Sequence, residues 1–220
     1  MTDLSNRRPI RSRGSTWATA LATALARAGV SPDLISAMSV AFALVGCAAF
    51  GLSGLSEGAA RVVWLGLAVI AIQLRLVANL LDGMVAVEHG KAGPVGPIWN
   101  ELPDRIADAL FFVGAGYGSL LISDVLSPAL GWLCAVLAVT AAYVRELGRG
   151  LGLPADFSGP LAKPQRMGLL TAAAVVSMLE GLWGWHGQAL SWGLALIAAL
   201  TALTVFNRTR KLARALRARA

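Results

Sequence analysis

Apolar positions gather in six blocks, near Leu34–Leu55, Val62–Leu81, Ile106–Leu126, Leu130–Val144, Met167–Trp183 and Leu190–Phe206. A helix crossing a bilayer needs about 20 mostly apolar residues. Six transmembrane helices are therefore expected. Ahead of them, Trp17, Leu21, Leu25 and Ala28 recur at helical spacing within Ser15–Ala28, with Thr16, Thr23 and Arg27 elsewhere on the wheel. Such a segment suits a helix lying in the membrane interface. No internal repeat or low-complexity tract interrupts the pattern. The expected fold is an all-α polytopic membrane protein, with six transmembrane helices preceded by an N-terminal interfacial amphipathic helix. Residues 1–33 form a basic N-terminal segment carrying that helix, 34–207 the transmembrane domain, and 208–220 a basic tail.

Composition agrees. Hydrophobic residues make up 56 % of the 220 and charged residues 14 %, against about 25 % charged in soluble domains. This excludes a disordered chain, a secreted disulfide scaffold and most soluble enzymes. The net charge of +7 points to an anionic membrane surface rather than nucleic acid, because the basic residues flank the apolar blocks. Their placement sets the orientation. All Lys and Arg except Arg61 and Arg75 fall in the termini or in the second-to-third and fourth-to-fifth connections. Both termini and those connections are thus expected in the cytoplasm. Trp64, Trp132, Trp183, Trp185 and Trp192 would form the outer aromatic belt. Cys47 and Cys134 lie inside apolar blocks and read as small hydrophobes. The first residues do not read as a signal peptide.

Carboxylates are scarce, 12 in all, yet Asp82, Glu88, Glu101, Asp104 and Asp108 bracket one predicted cytoplasmic connection. Ionisable residues at the hydrocarbon edge are costly and tend to be functional. Asn79, Asp82, Gly83 and Ala86 share one helical face, joining two oxygen donors to two small residues that permit close approach. Gly96, Asn100, Asp104 and Asp108 recur every four positions and share a face if helical. If the third helix begins near Pro103 instead, Asn100 lies in the loop. Hard oxygen donors without His or Cys suit Mg²⁺ or Mn²⁺, whose shell substrate phosphates often complete. Arg75 lies on the Asn79/Asp82 stripe. It is either a charge partner for the acidic cluster, the favoured reading, or a phosphate contact. Glu180 reads as structural and His89 as a solvated loop residue.

The stretch Asn79-Leu-Leu-Asp82-Gly83-Met-Val-Ala86-Val87, followed at matching spacing by Gly96, Asn100 and Asp104, resembles the CDP-alcohol phosphotransferase (CDP-alcohol phosphatidyltransferase) family. That family reads Asp-x2-Asp-Gly-x2-Ala-Arg-x8-Gly-x3-Asp-x3-Asp. Asn79 and Asn100 stand where the family has Asp, and Val87 where it has Arg. The stretch also looks like a bacterial subgroup with Asn-Leu-Leu-Asp-Gly and Asn-Glu-x-Pro-Asp-Arg. Ser31-Pro32-Asp33-Leu34-Ile35-Ser36 is similar to the family's entry to its first span, near the nucleotide. Arg145-Glu146, Lys163 and Arg166 resemble the family's basic residues around the fourth and fifth spans.

The resemblance implies transfer of a phosphatidyl or other substituted phosphoryl group in phospholipid biosynthesis. A hydroxyl acceptor attacks CDP-diacylglycerol or another CDP-alcohol, and CMP leaves. It implies Asp104 as proton acceptor; Asn79, Asp82, Asn100 and Asp104 at a Mg²⁺ or Mn²⁺ site; and Asp33, Ser36, Gly83, Ala86, Gly96, Arg145, Lys163 and Arg166 around the substrates. Since Asn79 and Asn100 remove two charges from that set, Glu101 or Asp108 could restore charge, and Asp108, one turn beyond Asp104, is the first candidate for the metal site. It further implies a homodimer in a bacterial inner membrane, with the active site cytoplasmic and no nucleic-acid partner. A catalytically weakened relative binding lipid or nucleotide, and a small transporter, are the alternatives.

Overall fold

A computed structural model describes residues 14–88, 94–119, 126–185 and 187–219. His89 lies outside them. Every described element is helical. Helix α1 spans Thr16–Arg27, α2 Pro32–Gly54, α3 Gly58–Glu88, α4 Gly96–Tyr117, α5 Leu126–Gly150, α6 Lys163–Leu179 and α7 Gln188–Arg217. A 3₁₀ turn, Glu180–Trp183, follows α6. Among the described residues, five segments are long and apolar enough to cross a membrane: α2, α3, α5, Lys163–Trp183 and α7. Helix α4 is not among them, because Glu101, Asp104, Arg105 and Asp108 interrupt its apolar sequence.

Several starts are written locally. The Ser31 hydroxyl accepts from the Leu34 amide (3.2 Å) and Pro32 opens α2, a capped start. Pro97 sits in the first turn of α4 and Pro164 in that of α6. Helix α4 begins ten residues before the apolar block that signals it, and Pro103 lies inside it. Asn100 is therefore helical, one turn before Asp104. In α1, Ala18 and Ala22 are the buried positions. They join Ala78, Leu81 and Met84 in a small core on α3, whereas Trp17 and Leu21 stay exposed.

The main core is built from α2 to α7 around Phe50, Phe111, Phe112, Leu170 and Leu194. Helix α2 packs on α3 and α4, α4 on α5, α5 on α7, and α6 on α3 and α7. Glycines set the closest crossings. A Cβ on Gly114 would stand 2.7 Å from the Cys47 backbone, and one on Gly131 would stand 2.6 Å from the Phe112 carbonyl. Small residues of this kind let helices approach where burial of apolar surface gives no net drive. Gly114→Val is expected to cost about 1–3 kcal/mol or more through overpacking, read as a lower melting temperature in detergent.

Helix α3 has 31 residues and α7 has 30, lengths of roughly 46 and 45 Å against a hydrocarbon core of about 30 Å. Both overrun a bilayer. The C-terminal turns of α3 gather with the N-terminal turns of α2, α4 and α6 at one end of the bundle, and there the chemistry collects.

Candidate active site

Four helices supply the site. Arg75, Asn79 and Asp82 come from α3, Asp104 and Asp108 from α4, Lys163 and Arg166 from the first turn of α6, and Ser36 from the second turn of α2. Arg75 is fully buried. Its Nη2 donates to Asp104 Oδ1 (3.1 Å), Asp108 Oδ1 (2.8 Å) and the Asp104 carbonyl (3.2 Å). Lys163 pairs with Asp104 Oδ2. Arg166 reaches Asp108 Oδ2 (3.4 Å). With its amide turned to satisfy both neighbours, Asn79 donates to Asp104 Oδ1 (3.0 Å) and accepts from Lys163 Nζ (3.1 Å). Asp82 takes a hydrogen bond from the Ser36 hydroxyl on Oδ2 (2.7 Å). Its Oδ1 is buried with no partner beyond the adjoining Gly83 amide.

The structure thus brings together Ser36, Asn79, Asp82, Asp104, Asp108, Lys163 and Arg166 from the sequence-derived set. Arg75 is the charge partner of the acidic cluster. Gly83 and Ala86 are half-buried on the same end of α3. A Cβ on Gly96 would meet nothing, so no neighbouring helix requires a glycine there. Asp33 is half-exposed in the first turn of α2. Arg145 stands apart, paired with Glu101 (2.6 Å) and Glu146 (2.8 Å) and lying over the Phe157 ring at 5.5 Å. Glu101 also pairs with Arg105, and Glu146 with Arg149 (2.8 Å).

A metal fits only in part. Among the described residues no three Asp, Glu, His or Cys converge tightly enough to hold an ion by themselves. Asp108 has both oxygens on arginines. The fitting donors are the underused Asp82 oxygen, the Asn79 amide oxygen and Asp104, a sparse set of the kind that substrate phosphates complete.

Sequence reading missed Arg208, which positions the segment leading into the site. It is buried on α7, with Nε donating to the Ser158 carbonyl (2.8 Å) and Nη1 to the Ala141 carbonyl (3.0 Å). The Leu161 amide donates to Thr204 Oγ1 (3.1 Å). Gly159 packs on Thr204 at a φ of +127°, where a Cβ would come within 2.5 Å of the threonine methyl. Lys211 pairs with Asp156 (3.2 Å) and Arg219 caps the Leu151 and Gly152 carbonyls. Partial burial raises the Asp156 carboxyl, but bonds from Ser158 and Lys211 outweigh it and hold the group below the ordinary range. These contacts seat the 151–162 connection, whose end delivers Lys163 and Arg166. Arg208→Met is expected to remove hydrogen bonds worth about 1.5–3 kcal/mol each and to speed proteolytic cleavage between Leu151 and Ala162.

No protein-family model matches the chain. The phosphatidylinositol phosphate synthase of Mycobacteroides abscessus is 28 % identical over 189 residues, covering 82 % of this chain and 78 % of that protein. The enzyme of the same name from Mycolicibacterium smegmatis is 26 % identical over 185 residues, covering 83 % and 79 %. Inner membrane protein YnbA of Escherichia coli is 30 % identical over 157 residues, covering 64 % and 66 %. Among solved structures, the Mycobacterium tuberculosis phosphatidylinositol phosphate synthase with CDP-DAG bound superposes with a TM-score of 0.75 at 22 % identity, covering 90 % of this chain and 94 % of that one. Its complex with manganese and citrate gives 0.73 at 23 %, covering 89 % and 88 %. These superpositions show a shared fold.

Proposed function

We propose that this chain, a multi-pass membrane protein belonging to the CDP-alcohol phosphatidyltransferase family, transfers a phosphatidyl group from CDP-diacylglycerol or a similar CDP-alcohol to a hydroxyl acceptor, releasing CMP. The observation that carries this reading is the convergence of Asn79, Asp82 and Asp104 with Lys163 at one end of the bundle. These are oxygen donors and a cation at the positions where the sequence pattern puts diphosphate chemistry.

Asp82, Asn79 and Asp104 would hold a divalent ion, Mg²⁺ or Mn²⁺, with Asn100 one turn before Asp104 on α4. When bound, that ion would neutralise charge on the diphosphate and on departing CMP. The chain's own groups do the rest. Ser36 fixes the Asp82 carboxylate by its hydrogen bond, leaving one oxygen free to bind. Lys163, within reach of Asp104 and Asn79, turns toward a diphosphate oxygen, which leaves Asp104 Oδ2 free to take the proton of the acceptor hydroxyl. Asp108 acts at one remove, holding Arg75 and Arg166 in place. Gly83, Ala86, Gly96 and Asp33 line the nucleotide side, and Arg145 the acceptor side.

Helix α4 crosses the membrane as a sixth span, its polar half lying in the site rather than against lipid. Trp17 and Leu21 of α1 face the interface. Both termini and the site are cytoplasmic in a bacterial inner membrane, and the chain works as a homodimer. The test is CMP release by the purified protein given CDP-diacylglycerol, Mg²⁺ or Mn²⁺, and a pool of alcohols. Release that stops with EDTA and returns with metal is expected, and subdividing the pool identifies the acceptor. Binding of CDP-diacylglycerol without release from any pool would favour the lipid- or nucleotide-binding relative, motivated by Asn79 and Asn100.

A further inference from the structure

The cluster is balanced in charge before any ligand arrives. Asp82, Asp104 and Asp108 contribute three negative charges, and Arg75, Lys163 and Arg166 three positive ones. Arg75, Asp82, Asp108 and Arg166 are all at least nine-tenths buried. Arg75 uses only Nη2 on the carboxylates. Its Nε and Nη1 are buried without partners, so its charge is not fully spent on the two carboxylates. Unpaired buried donors are costly unless something completes them.

We infer that the site takes a single divalent ion per protomer, that this ion binds together with the diphosphate rather than before it, and that Arg75 supplies the charge a second ion would otherwise bring. The inference rests on the function proposed above and deepens it. The argument is one of charge in a weakly screened place. Each phosphorus of a CDP-alcohol's diphosphate bears one negative charge. One divalent ion cancels that pair and returns the site to neutrality. A second would leave two uncompensated positive charges beside a buried arginine, and burying unpaired charge is strongly unfavourable. Without the diphosphate, even one ion faces a set already neutral, with Asp104 and Asp108 occupied by cations. Arg75, fully buried and held on Asp104 and Asp108, then supplies a fixed positive charge that a second ion would have to displace or oppose.

The test counts ions. Free Mn²⁺ is followed by its electron paramagnetic resonance signal while the full chain in detergent is titrated, first with Mn²⁺ alone and then with saturating CDP-diacylglycerol. Retention of radiolabelled CDP-diacylglycerol is measured in the same samples. The wild type is expected to bind Mn²⁺ weakly alone and one ion per protomer with the nucleotide. Asn79→Asp restores a negative charge and is expected to tighten nucleotide-independent Mn²⁺ binding by about tenfold or more. Arg75→Met frees two carboxylates and is expected to admit a second ion. If that variant does not fold, the wild-type count and Asn79→Asp still decide. Two ions beside bound nucleotide in the wild type, or equally tight Mn²⁺ binding in its absence, overturn the inference alone. Failure to retain CDP-diacylglycerol under any metal condition overturns the proposed function, and this inference with it.

Discussion

Asp104→Asn is expected to lower CMP release on the order of 10²–10⁴-fold, the range a positioned proton acceptor contributes, while CDP-diacylglycerol is still retained at saturating metal, the condition required because Asp104 also belongs to the proposed ion site. An asparagine can still accept from Arg75 and Asn79 through Oδ1, so the geometry at that oxygen survives. It cannot take a proton, and it loses the charge that holds Lys163. The split between release and binding is the diagnostic. Fold loss would reduce both together. Activity above about a tenth of wild type would move the proton acceptor elsewhere, because a general base is worth more than that. Asp108 is a poor substitute in this arrangement. Both of its oxygens face arginines and it is 2 % exposed, so no acceptor hydroxyl reaches it without breaking an ion pair. Asp108→Asn should instead loosen Arg75 and Arg166 and raise the metal concentration needed for half-maximal rate.

The largest stability effect is expected at the opposite end of the bundle. Arg61 Nη1 donates to the carbonyls of Ser53 (2.7 Å) and Gly118 (3.0 Å), at the C-termini of α2 and α4. Its Nη2 reaches Ser177 Oγ (3.0 Å) and Glu180 Oε1 (3.2 Å). Glu180 also receives the Ser177 hydroxyl (2.7 Å) and, at the start of α7, the amides of Gly187 and Ala189. A cation thus caps two helix C-termini and an anion one N-terminus, as the helix dipoles favour. Arg61→Met would strand Glu180 in a buried site. Breaking such a pair from one side costs about 3–5 kcal/mol, measured as the unfolding midpoint in detergent. The double variant Arg61→Met with Glu180→Leu should recover part of the loss, since no charge is left unpaired. A single-variant cost below about 1 kcal/mol would mean the pair is as well solvated as a surface bridge.

How much of this was legible in the sequence depends on the element. The acidic half of the site was, because carboxylates are rare here and those at 82, 104 and 108 fall on helical faces. The cationic half was legible in part: Arg75 reads as a charge partner of the acidic cluster and pairs with Asp104 and Asp108, whereas the pairing of Lys163 and Arg166 with the same carboxylates is not written in the sequence. Periodicity says which residues share a stripe on one helix, but not which stripes meet. Lys163 and Arg166 were thus expected around the substrates, but their partners Asp104 and Asp108 could not be named. A signal did exist. Arg61 and Arg75 are the basic residues that break the charge asymmetry of the loops, and both prove to be buried and paired. The start of α4 was hidden because its apolar block begins only at Ile106, although Pro97 marks the first turn. In α1 the large apolar stripe was the visible one, yet the small side of the helix docks, since alanines allow the closer approach to α3.

Helix α7 carries a practical lesson for anyone shortening the chain. Composition draws a boundary at residue 207, where apolar residues give way to basic ones, but the helix runs through it unbroken to Arg217. A chain ended there would keep every span and every donor of the site, and would lose Arg208, Lys211 and Arg219 together. The connection they seat would then be free to carry Lys163 and Arg166 away from the carboxylates. What looks like a disposable tail is the outer half of a hinge pin, and tags or truncations there reach the active site without touching it.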